Sequence, residues 1–192
     1  MPNWMKAPLV LALLGATLAA PTFPSTAASN NAAAQFPARI LAAHNAARAQ
    51  AGVQPLTWDP ALSAAAETYA IQLAQTNRFQ HSNRHARPGT GENLWMGSRG
   101  YFSYEAMVGG WSSERRYFTP GIFPAVSRSG NWEDVGHYTQ MVWPTTTRVG
   151  CAVASNAANE YLVCRYAPAG NIDGRAVPNP MIASAGPYGA AR

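Results

Sequence analysis

The sequence predicts an α+β fold, and three observations carry that prediction. Apolar residues recur at helical spacing after Asp59-Pro60, two alternating runs between Val149 and Tyr166 read as a hairpin, and helices and hairpin strands mix without the rhythm of a doubly wound sheet. The 192 residues make one domain of ordinary size once the ends are set aside.

Residues 1–28 read as a secretion signal. Lys6 precedes the apolar run from Ala7 to Leu14, and small residues follow. That run is too short to span a bilayer comfortably. Cleavage fits after Thr26-Ala27-Ala28 or after Ala32-Ala33-Ala34, whereas Pro21 disfavours a cut after Ala20. Residues 29–36, rich in Ala, Asn and Ser, are expected to be a flexible leader, residues 37–171 the folded domain, and residues 172–192 a wrapping or loose tail.

Within the domain a first helix is expected over 37–51, with Pro37 at its start and Gly52 just past its end. Pro55-Leu56-Thr57-Trp58 is an extended connection. Asp59-Pro60 then opens a second helix: a capping carboxylate, then proline in the first turn. Leu62, Ala66, Tyr69, Ala70 and Leu73 give it one apolar face through about Gln75. From 77 to 91 the chain is polar, with Pro88-Gly89 its sharpest break. A short strand fits 92–97, a third helix 103–118, and a short fourth helix 136–143. Val149, Cys151 and Val153 alternate, as do Leu162, Cys164 and Tyr166, on either side of a polar loop.

Charge and cysteine usage narrow the function classes. Once Lys6 is set aside, thirteen arginines stand against nine acids, a net charge of about +4 that mildly favours anionic lipid headgroups or cell-wall polymers. The arginines are scattered and form no basic stripe interleaved with aromatics, which excludes a nucleic-acid footprint. Cys151 and Cys164 are the two cysteines of the chain. In an oxidising compartment they read as one disulfide, worth roughly 3 kcal/mol for a loop of this length. The pair fits no zinc knuckle.

Several residues stand out against their neighbours. Met107, Trp111, Glu114 and Phe118 share one stripe of the third helix, and a carboxylate on such a stripe needs a cation, a metal or hydrogen-bond donors. A structural ion pair with an arginine is the plain alternative. Gly109-Gly110 in the same helix implies close packing, a cleft or a kink. Of the histidines, His44 reads as a packed structural residue and His85 as solvent-exposed. His81 and His137 sit at the edges of the second and fourth helices, where two imidazoles with two glutamates would suit zinc.

Gly136-His137-Tyr138-Thr139-Gln140-Met141-Val142-Trp143 followed by Val149-Gly150-Cys151-Ala152 resembles the signature of the CAP superfamily, the group of cysteine-rich secretory, antigen 5 and pathogenesis-related 1 proteins. Further blocks match in order: His44-Asn45-x-x-Arg48, Pro55-Leu56-x-Trp58, His81-Ser82, Gly91-Glu92-Asn93-Leu94, Trp111-x-x-Glu114, and Tyr161-x-Val163-Cys164-x-Tyr166-x-Pro168-x-Gly170-Asn171. The resemblance covers about residues 38–171. It implies a three-layer α-β-α sandwich around a small antiparallel sheet. It also implies a cleft tetrad of His81, Glu92, Glu114 and His137, with a divalent cation, zinc foremost, held by His81 and His137. His85 is the rival for the first histidine, but the His-Ser pair favours His81. Extra cystines and a cysteine-rich C-terminal module are absent from the sequence, so channel regulation by such a module is not implied.

Three functions follow as expectations. The first is a secreted binding module, extracellular or periplasmic, for a cation or a small lipid or sterol at the cell envelope or a membrane surface, where it would meet host or microbe. Tyr101, Phe102, Tyr117, Phe118, Ile122 and Phe123 would line its apolar groove. The second is a metal-dependent, peptidase-like hydrolase with Glu92 or Glu114 as general base. The sequence contains no H-E-x-x-H, no G-x-S-x-G and no free thiol to support it, and no catalytic residue is assigned. The third is a scaffold in which the tetrad is structural.

Overall fold

The computed structural model describes residues 26–177. Almost all of the expected signal peptide lies outside the described residues, as do residues 178–192 of the tail. Helix α1 (Thr26–Gln50) starts well ahead of Pro37, which lies inside it. Residues 29–36, read from composition as a flexible leader, are therefore helical. Alanine is the strongest helix former, and an alanine-rich run carries the helix past the N–H that proline lacks.

Strand β1 (Thr57–Trp58) leads into α2 (Pro60–Thr76). The Asp59 carboxylate accepts from the Ala61 and Leu62 amides at 2.9 and 3.2 Å, as the sequence predicts. Strand β2 (Gly91–Ser98) and helix α3 (Tyr104–Ser112) come next. The helix expected to reach 118 tightens into a 3₁₀ turn over Ser113–Tyr117. After β3 (Gly121–Ile122), α4 (Gly136–Met141), β4 (Arg148–Ser155) and β5 (Asn159–Ala167), the described tail closes with β6 (Ala176–Val177), paired to β3. No described helix is long and apolar enough to cross a membrane.

The main sheet runs β1-β4-β5-β2. β5 pairs antiparallel with both neighbours, but β1 pairs parallel with β4, so the sheet is mixed rather than wholly antiparallel. The short parallel edge forms because the chain turns directly from β1 into α2, with the Asp59 amide donating to Val149 O at 2.8 Å. Alternation along the hairpin then sorts two cores. Val149, Cys151, Leu162, Cys164 and Tyr166 pack under α1, α3 and α4, while Ala152, Tyr161 and Val163 join Leu94 under α2. That division is the three-layer sandwich. Cys151 and Cys164 stand directly opposite in the ladder and are bonded to one another.

Close approach explains Gly150. A Cβ there would lie 2.3 Å from Ser63 N and 2.4 Å from Asp59 O, so the start of α2 rests on a bare backbone. Gly109-Gly110 has no such reason: a Cβ on Gly109 meets nothing within 4 Å, and one on Gly110 meets only Trp95, no nearer than 3.9 Å.

The first matching block is scaffold. His44 is fully buried; its Nδ1–H donates to Ile40 O and its Nε2 accepts from the Tyr166 hydroxyl, each at 2.8 Å. Asn45 brackets Leu56, accepting from its amide at 2.8 Å and donating to its carbonyl at 3.1 Å. Burial lowers the His44 pKa to about 4, with the Ile40 bond opposing and the Arg48 charge assisting. Between about pH 6.5 and 4 the unfolded chain therefore carries a proton that the folded one refuses. The stability His44 contributes is full above 6.5 and is lost as pH falls towards 4, on the order of 3 kcal/mol in all. Urea midpoints from pH 7 to 4 should fall accordingly, and His44→Gln should flatten the fall; an unchanged slope in that variant would refute the assignment.

Candidate functional site

Two histidine–glutamate pairs form at one cavity of about 950 Å³. His81 follows α2 and Glu92 is the second residue of β2; His81 Nδ1 lies 2.7 Å from Glu92 Oε1. Glu114, on the 3₁₀ turn after α3, accepts from His137 Nδ1 at 2.6 Å. Each carboxylate accepts a hydrogen bond from Nδ1–H, the tautomer that keeps the lone pair on Nε2. Neither Nε2 has a protein partner among the described residues.

His81, His137 and Glu92 line the cavity; Glu114 does not. The Glu92 side chain is fully buried while that of His81 is half exposed. Glu92 Oε1 also accepts from the Ser82 amide at 3.0 Å, and Oε2 from the Ser82 hydroxyl at 2.8 Å. Arg165 Nη1 lies 3.0 Å from Oε2. Burial pushes the Glu92 carboxyl up, but the His81 hydrogen bond, the Arg165 charge and the Ser82 donors outweigh it and hold it below the usual range.

Glu114 Oε2 accepts from the amides of His137 and Tyr138, both at 3.0 Å. Those are the first exposed amides of α4, which has no side-chain cap of its own. A carboxylate from another element thus caps α4 and orients its histidine together. Trp111 stacks on the His137 ring at 6.0 Å, 14° from parallel, and Asn93 Nδ2 donates to His137 O at 3.1 Å.

The structure brings all four sequence-selected residues together as two pairs and separates the rival. His85 sits exposed on a short 3₁₀ turn and does not line the cavity. Ser82 serves Glu92, not a histidine. The six residues expected to line an apolar groove are dispersed: Phe118 and Phe123 are buried in the core, Phe123 also lining the cavity, while Tyr101, Phe102, Tyr117 and Ile122 are exposed and Phe102 packs on Trp95 and Tyr101. They flank the third helix in sequence, but the core claimed two of them. Residues missed by sequence reasoning are Arg87 and Arg165, which flank Glu92. Arg165 was detectable, being the one charge in the apolar stretch 161–167 of β5.

Among the described residues the one compact trio of potential ligands is His44 with Cys151 and Cys164, within 4.8 Å of one another. It is not a metal site, since the sulfurs are bonded to each other and both His44 nitrogens are engaged. The tetrad forms no such trio; its side chains stand as two histidine–glutamate pairs.

Comparison with known proteins agrees with this architecture. The family model for the cysteine-rich secretory protein family, CAP, matches residues 41–166. Pathogenesis-related protein 1C of Nicotiana tabacum is 39% identical over 136 residues, covering 70% of this chain and 76% of its own. Pathogenesis-related protein PRMS of Zea mays is 36% identical over 170 residues, covering 86% and 94%. Among solved structures, NaASP2 with Zn2+ superposes at a TM-score of 0.62 with 26% identity, covering 74% of this chain and 84% of that one. With the matched region spanning both layers, the sheet and both histidine–glutamate pairs, the chain belongs to the cysteine-rich secretory protein (CAP) family.

Proposed function

We propose that the protein is a secreted binding module that holds a divalent cation, zinc foremost, through Nε2 of His81 and His137. One observation carries this reading: both imidazoles line the same cavity with Nδ1 committed to a carboxylate and Nε2 uncommitted. That carboxylate–histidine arrangement fixes the tautomer a cation requires. The relative solved with Zn2+ supports the choice of metal, and the disulfide supports an oxidising exterior.

Two protein ligands hold a cation less firmly than the three of catalytic zinc sites, so exchange is expected to be ready. When bound, the cation supplies Lewis-acid polarisation to a group in the cavity. The glutamates orient rings rather than act as general bases. Glu92 already meets three donors and the Arg165 guanidinium, and Glu114 meets three donors. Binding therefore fits better than hydrolysis.

A calorimetric zinc titration of EDTA-stripped mature protein tests the proposal. One saturable site is expected, lost in the double variant His81→Ala, His137→Ala with the fold intact by circular dichroism. Undiminished binding in that variant, or none in the parent, would sink it.

A further inference from the structure

A second cavity, of about 690 Å³, adjoins the cleft at His81 and is walled by Leu62, Ala65 and Tyr69 of α2, by Pro88, and by Arg87 and Arg165. Its charge is out of balance. Arg165 and Arg87 share one carboxylate, Glu92, at 3.0 and 3.9 Å. Glu92 is also occupied by His81 and Ser82. Among the described residues no other carboxylate forms an ion pair with either guanidinium, while Arg84 adds positive charge beside Arg87.

The donors are correspondingly in surplus. Arg87 Nη1 donates to Thr90 O at 2.7 Å and Arg165 Nη1 to Ser82 Oγ at 3.0 Å. Among the described residues Nε of both is buried without an acceptor, and neither Nη2 has a hydrogen-bond partner. These side chains are only 12% and 7% exposed. A buried cation without its counter-charge is costly, and an anion in the adjoining space removes that cost. Arg165 is also held in place, its guanidinium carbon lying 5.4 Å from the Tyr69 ring centroid.

We infer that this cavity binds a small oxyanion carried on a compact apolar body, its carboxylate or phosphate head against Arg87 and Arg165 and its hydrocarbon part against Leu62, Ala65 and Pro88. Guanidinium groups suit both heads, and the apolar wall selects against a bare ion. The site is separate from the cation ligands in chemistry and is tested without metal.

Benzoate, phenyl phosphate, inorganic phosphate and benzyl alcohol are titrated calorimetrically into EDTA-stripped mature protein at fixed salt. Benzoate or phenyl phosphate should bind one to one and identify the preferred head. Inorganic phosphate should bind at least about tenfold more weakly, and benzyl alcohol not at all. Arg165 is left alone, because its removal would strand Glu92. Ala65→Phe fills the wall from an exposed position on α2 without touching a charge, and Arg87→Gln removes one cation while keeping the Arg165–Glu92 pair. Each should weaken binding about tenfold or more with unchanged circular dichroism. Absence of binding by both aromatic anions to folded parent protein overturns the inference. So does parent-like affinity in both variants, or inorganic phosphate binding as tightly as its phenyl ester.

Discussion

Arg48→Met should destabilise the protein by about 4 kcal/mol, a fall of roughly 10 °C in Tm for a domain of this size. Arg48 is 1% exposed, yet its partners are four carbonyls rather than an acid. Nε donates to Gln54 O at 2.5 Å, Nη1 to Met141 O and Trp143 O at 2.9 and 3.0 Å, and Nη2 to Thr146 O at 2.9 Å. One side chain thereby fixes the end of α1 to the turn between α4 and β4. Burial drags its pKa down to about 10, which still leaves it charged at neutral pH. Methionine keeps the packing but leaves four acceptors without their donor. Arg48→Lys should recover only part of the loss, because an ammonium cannot reproduce the planar fork. Guanidinium-chloride midpoints decide the matter: a loss below about 1 kcal/mol in the methionine variant would mean that water serves those carbonyls equally well.

The two tetrad glutamates should respond differently to the same substitution. Glu92→Gln leaves Arg165 and Arg87 buried without the carboxylate they share, and is expected to cost about 3–5 kcal/mol. Its carboxyl is held below the ordinary carboxylate range, so the stability it contributes is complete above about pH 4.5 and disappears as pH falls through the folded value. The variant should therefore be weaker at pH 7 and show a shallower acid limb. Glu114→Gln faces no buried arginine and keeps an oxygen for the α4 amides, so about 1 kcal/mol is expected. Zinc affinity should instead fall 10- to 100-fold, since a neutral amide anchors the His137 ring less well. Paired urea and zinc titrations separate the two outcomes, and equal stability losses would contradict the division of labour drawn here.

Much of this architecture was legible because local chemistry and tertiary packing agree. Asp59-Pro60 starts α2 where its capping chemistry requires, and alternation through Cys151 and Cys164 foretells both the hairpin and its bridge. Glu114 betrayed itself as a charge on an apolar stripe, although the backbone tightens there and the stripe was reckoned on α-helical spacing. What escaped was long-range. Nothing near Thr57-Trp58 announces a parallel partner at Arg148-Val149, and Pro37 signals a helix start that the preceding alanines override. Arg165 fell at an unconstrained place between two recognisable residues. Its meaning depends on a strand and a loop that only folding brings to it.

The bridge between Cys151 and Cys164 has a consequence for how the sheet is assembled. Both faces of β5 are buried, so sliding β4 by one residue would turn the α2-facing set towards α1 and the reverse. A covalent tie between directly opposed residues allows a single alignment. A chain oxidised early carries into its search for the native state a ribbon whose two sides are already assigned, and the helices have only to choose between them.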